Sequence, residues 1–175
     1  MIQFSTVMWF FAFFFAVIGF LRGWNKELVA AAGISLMMFA LFQFDSMLRS
    51  IFFAASTAQI FFLQVVIFGV VVAWVYQSAA ISSVEERAED DYQSGILGAL
   101  IGFANGYLIG GTLWYFADIN EYPISQFLTA PSPSSISSDA LSWIPLVIVG
   151  GGASGTGDLL AFAVLVLIFL VLVSI

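Results

Sequence analysis

The chain alternates long uncharged stretches with short charged ones. No charged side chain lies between Met1 and Leu21, between Leu28 and Phe44, between Ser50 and Val84, or between Gln93 and Ala117. A bilayer-spanning helix needs about 20 mostly apolar residues. The pattern therefore predicts membrane helices near Phe4 to Leu21, Leu28 to Phe44, Gln59 to Ala80, Gly95 to Ala117, and Asp158 to Ile175. The run from Ser50 to Val84 is too long for one perpendicular span, so Ile51 to Ala58 reads as an interfacial lead-in or a tilted start. The first span has neither a basic leader nor a small-x-small cleavage site, and reads as an anchor rather than a signal peptide.

The fold class that follows is all-α, a polytopic membrane helix bundle of about five transmembrane helices. Residues 1–117 form a four-helix core. Residues 118–157 are rich in Pro, Ser and Gly and read as an exposed, irregular loop, and 158–175 add a C-terminal helix. Ile144 to Gly150 are too few to cross. With the glycines after them they form either a hydrophobic surface loop or a re-entrant segment. The segment Ser82 to Gln93 reads as a short acidic surface helix, with Ser83 and Glu86 spaced as a capping box.

Composition narrows the chemistry. The chain has 175 residues, 62% hydrophobic and 9% charged, with 20 Phe, and no Cys or His. A water-soluble domain carries about 25% charged residues. Missing Cys and His exclude disulfides, thiolate metal sites, His-ligated haem and histidine acid–base catalysis. No cofactor is expected. Four basic residues, Arg22, Lys26, Arg49 and Arg87, give neither a polybasic lipid patch nor a nucleic-acid footprint. Putting the first and third loops in the cytoplasm collects three of these four. The N-terminus is then outside and the C-terminus inside.

Gly98, Gly102, Gly106 and Gly110 recur every fourth residue in the fourth span, forming one stripe with no side chains. In lipid, small-residue stripes let helix backbones approach closely. The stripe fits packing inside its own chain, against the first two helices, or a homo-oligomer face. Gln64 and Asn105 are the deepest polar residues and suit hydrogen bonds between helices. Arg22 can snorkel towards phosphate, Gly23 permits a tight reversal, Trp24 suits the interface, and Glu27 meets the positive end of the second helix. Gly152-Ala153-Ser154-Gly155 spells an intramembrane serine protease motif, but no His can activate the serine. The Glu85–Asp91 acidic run matches no loop signature for a divalent cation.

Gly19-Phe20-Leu21-Arg22-Gly23-Trp24 is echoed by Gly102-Phe103-Ala104-Asn105-Gly106-Tyr107. The stretch IGFLRGWNKELVAAAG, with Gly19, Arg22, Gly23, Trp24 and Glu27, resembles the signature of the colicin V production protein (CvpA) family. DYQSGILGALIGFANGY resembles that family's second block, with Asn105 where the family often carries Arg. The resemblance covers roughly Phe4 to Ala117. It implies a bacterial inner-membrane protein; with the glycine stripe and the missing Cys and His, the expectation is a non-catalytic scaffold or accessory subunit. Such a subunit helps assemble or stabilise a larger membrane complex, including an energy-converting one, and its partners are the lipid bilayer and other membrane subunits. The alternative is a small channel or exporter component.

Overall fold

The computed structural model describes residues 4–81, 92–123, 130–132 and 135–174. These form helices α1 (Phe4–Arg22), α2 (Trp24–Gln43), α3 (Asp45–Ile51), α4 (Thr57–Ile81), α5 (Tyr92–Ile119), α6 (Ile136–Ala140), α7 (Pro145–Ile148) and α8 (Asp158–Ser174). Short 3₁₀ turns lie at Leu141–Trp143 and Gly152–Ser154. No strand occurs among the described residues. The protein is an all-helical bundle in which α1, α2, α4 and α5 are long and apolar enough to cross a bilayer. The fifth expected span, α8, has 17 residues. Its length of about 25 Å falls short of a hydrocarbon core of about 30 Å.

The glycine stripe organises the bundle. Side chains added at Gly98, Gly102 and Gly106 would overlap the α1 carbonyl oxygens of Gly19, Phe15 and Phe11. A Cβ at Gly110 would lie 2.7 Å from Met8 Cα. Later stripe positions meet earlier α1 positions, so the two helices run antiparallel with backbones in contact. Gly23, at φ 80°, is the single residue between α1 and α2. No L side chain adopts that φ comfortably, which is why the reversal needs glycine.

α2 returns beside α5, burying Ala30, Ala31, Ile34 and Met38. α4 lies against α2, with Val75 over Gly33, and meets α5 through Phe68 and Phe116, whose rings are 5.9 Å apart edge to face. α8 rests on α2, burying Leu160 and Val164. α4 begins in a capping box: Ser56 N donates to Gln59 Oε1 (2.8 Å), and Gln59 N donates to Ser56 Oγ (3.3 Å).

The stretch after α5 departs from the expected exposed, irregular loop. α5 runs on to Ile119, and the described part of 118–157 includes α6 and α7. Ile144, Pro145 and Leu146 are buried, with Pro145 against Gly111 and Gly150 beneath Phe42. An Ile-Pro-Leu triplet has no polar group besides backbone, so it gains by filling the gap at the end of α5. The Ser82–Gln93 reading and the acidic run fall almost wholly outside the described residues.

Candidate functional site

Glu27 is the fourth residue of α2 and has no exposed surface. Three groups, one from each of three other helices, satisfy it. Arg22, the last residue of α1, donates from Nη1 to Glu27 Oε1 at 2.7 Å, forming an ion pair. Tyr76 of α4 donates its hydroxyl to Glu27 Oε2 at 3.0 Å. Asn105, midway along α5, donates from Nδ2 to Glu27 Oε2 (2.8 Å) and to the Glu27 carbonyl (3.0 Å). Arg22 also covers the Tyr76 ring, 4.3 Å from its centroid, and reaches the Tyr76 carbonyl at 3.4 Å.

Local sequence explains the convergence. Gly23 turns the chain so tightly that the end of α1 and the first turn of α2 face one another. Arg22 keeps 16% of its side chain exposed while Glu27 keeps none. The cation is thus the outer partner and the carboxylate the inner one. A buried carboxylate without a partner is prohibitively costly, and here its oxygens meet charged or polar donors.

Asn105 has no freedom in how its amide points. Both acceptors it faces are oxygens of Glu27, so the NH₂ group must face them. Its Oδ1 therefore points the other way, and this atom has no hydrogen-bond partner although the side chain is fully buried. Such an orphaned acceptor costs about 1–3 kcal/mol.

A second polar cluster closes the opposite end of the bundle. Asp45 and Arg49 of α3 pair at 2.8 Å. Gln64 of α4 donates to Asp45 Oδ1 (2.8 Å), Asn120 donates to Gln64 Oε1 (2.8 Å), and Arg49 donates to Asn120 Oδ1 (3.0 Å). Gln64 and Asn120 are fully buried. Nearby, Trp114 donates to the Tyr122 hydroxyl, which donates to Asp118, each at 3.0 Å. Burial raises the Tyr122 hydroxyl well above the usual phenol range, so it stays a neutral donor.

The sequence-predicted residues divide between these features. Gly98, Gly102, Gly106 and Gly110 face α1, and Gly19 lies opposite Gly98. Arg22, Glu27 and Asn105 come together in one cluster, and Gln64 sits in the other. Trp24 is half-buried at the start of α2, outside both. Glu27 does lie in the first turn of α2, and the structure adds that it is a fully buried carboxylate bonded to α1, α4 and α5. Tyr76, Asp45, Arg49 and Asn120 were not singled out. Among the described residues, no group of three or more His, Cys, Asp or Glu could hold a metal ion.

Together these features define a polytopic membrane helix bundle, latched internally at both ends by polar clusters. No family model, curated protein or solved structure matches the chain.

Proposed function

We propose that this chain is a non-catalytic membrane scaffold or accessory subunit that helps assemble or stabilise a larger membrane complex, of the colicin V production type. The observation that carries this reading is where the interior polar groups are directed. Glu27, Arg22, Tyr76 and Asn105 bond to one another, as do Asp45, Arg49, Gln64 and Asn120. Such bonds fix helix against helix and leave few groups to hold or turn over a substrate. The glycine stripe is likewise engaged within the chain, against α1. The long helices present apolar and aromatic side chains outward, among them Phe10, Phe13 and Phe14 on α1, Val66, Val70 and Trp74 on α4, and Phe162, Leu165 and Phe169 on α8. Those faces suit lipid and other membrane helices. The bacterial inner membrane, with the N-terminus outside, belongs to the same proposal and rests on the placement of Arg22, Lys26 and Arg87. Mild extraction from native membranes followed by native mass spectrometry tests it: the chain should travel with other membrane subunits. Recovery only as a monomer overturns the proposal.

A second reading, a small channel or exporter component, is favoured by one feature. A fully buried carboxylate beside an orphaned acceptor is what a transport path would carry. It predicts ion or solute flux in proteoliposomes that Glu27→Gln and Asn105→Leu both abolish.

A further inference from the structure

α3 is built inside out for a helix in water. Its two charged side chains turn inward, Asp45 to Gln64 and Arg49 to Asn120. Two of its three apolar side chains turn outward: Met47 and Ile51 are exposed while Leu48 is half-buried, and Phe44 before them and Phe52 and Phe53 after them are exposed too. Phe53 retains 87% of its surface. Chain connectivity fixes where this apolar edge can be. Phe44 alone separates α3 from α2, and the backbone bonds Phe44 N to Ala40 O and Leu48 N to Phe44 O carry the helix almost unbroken across the junction. Residues 52–56 are all that separate α3 from α4. Each residue reaches at most about 3.6 Å, so α3 cannot leave the level at which these two spans end. Two of the polar groups on this stretch are satisfied within the chain. Ser50 Oγ donates to the Met47 carbonyl at 2.8 Å, and Phe52 N donates to the Leu48 carbonyl at 3.0 Å.

We propose that α3 and its flanking phenylalanines form a lipid-inserted ledge at the bilayer boundary, on the side where α5 ends. The Asp45–Arg49–Gln64–Asn120 cluster is the latch that sets its angle. The partner is a lipid surface, met through apolar side chains. Both charges of the ledge are half-buried, paired with each other and bonded to the bundle, so insertion does not depend on anionic headgroups. An interfacial helix of this kind sits about 5–10 Å into the headgroup–acyl boundary. This inference is independent of whether the chain serves a larger complex.

The chain has no native Cys, so single spin labels can be placed directly. Met47→Cys, Ile51→Cys and Phe53→Cys, each at an exposed position, would carry a nitroxide in vesicles of phosphatidylcholine, alone or with phosphatidylglycerol. Val66→Cys on α4 serves as the reference within the span. Power-saturation measurements should show all three ledge labels more accessible to oxygen than to a water-soluble nickel chelate. They should lie shallower than Val66→Cys and at equal depth in both vesicle types. Adding Asn120→Ala should raise the mobility of the Met47→Cys label by freeing Arg49. Preferential access to the nickel chelate would mean the ledge lies in water, and low access to both reagents would mean protein covers it. A depth that changes with phosphatidylglycerol would mean headgroup charge holds it. Any of these results overturns the proposal.

Discussion

Glu27 owes its burial to three partners that lie 5, 49 and 78 residues away in sequence. Replacing it with Leu leaves the Arg22 guanidinium without its carboxylate and the Asn105 amide with only the main-chain carbonyl of residue 27. Breaking a buried ion pair by removing one member costs about 3–5 kcal/mol. Arg22 can still reach the boundary, which places the expected loss at the lower end of that range. Asn105→Leu should cost less. It removes hydrogen bonds worth about 1 kcal/mol each in lipid, but it also removes the orphaned Oδ1 acceptor. Unfolding titrations in mixed micelles should rank Glu27→Leu well below Asn105→Leu in stability; equal losses would refute the partition. A second test at this scale lies at the end of α5. Glu121 N donates to Asp118 O and Tyr122 N to Ala117 O, a Schellman pattern in which Glu121, at φ 60°, occupies the position glycine prefers. Glu121→Gly should therefore stabilise the protein slightly, by about 1 kcal/mol at most, read as a raised melting temperature.

Glycine has opposite meanings on two helices of this bundle, which makes a paired experiment possible. A methyl at Gly102 would overlap the Phe15 carbonyl, and backbone on both sides leaves no flexible group to yield. Gly102→Ala should push α1 from α5 and destabilise by about 1–3 kcal/mol, the usual cost of overpacking. Gly69, in the middle of α4, has nothing within 4 Å of an added Cβ. Gly69→Ala should stabilise by about 0.5–1 kcal/mol through backbone entropy alone. Equal effects from the two substitutions would show that α1 and α5 do not make the close contact described. Elements were the most legible level of the sequence. Uncharged length and flanking charges located the four long helices to within a few residues, and the i, i+4 glycines marked a close-packing face before its partner was visible. The Ser56-x-x-Gln59 capping box starts α4 at Thr57, two residues before the expected Gln59, a signal the uncharged length alone does not use. The place of Glu27 in the first turn of α2 is legible in the sequence, but its burial is not. Its burial depends on Tyr76 and Asn105, and nothing in linear spacing links those positions. Asp45 and Asn120 stayed hidden for the same reason, and the buried Ile-Pro-Leu triplet resembled a loop because a four-residue helix leaves no periodicity to detect.

At the scale of the molecule, the open question is the parity of crossings, and α8 decides it. Four helices are long enough to span, which by themselves return the chain to the side on which it began. α8 is entirely apolar from Leu159 to Val173, packs on α2, and starts at Asp158, beside the end of α2 where Gly157 meets Phe42. Running antiparallel to α2 from that end, it heads towards the face that holds the α1–α2 reversal. Its length of about 25 Å is some 5 Å short of the hydrocarbon thickness. A mismatch of that size costs only fractions of a kcal/mol per Å and is met by local thinning. Leaving a helix with no polar face in water would cost far more, at about 25 cal/mol per Å² of exposed apolar surface. α8 should therefore cross as a fifth span, with its end on the same side as Asn25. In the Cys-free chain, Asn25→Cys and Val173→Cys should both resist a membrane-impermeant thiol reagent added to intact cells, and both should react in inverted vesicles. Ser154→Cys, exposed in the turn before α8, should behave in the opposite way. If Val173→Cys reacts together with Ser154→Cys, α8 does not cross; if all three react in the reversed sense, the crossings stand and the orientation inferred from Arg22, Lys26 and Arg87 is inverted.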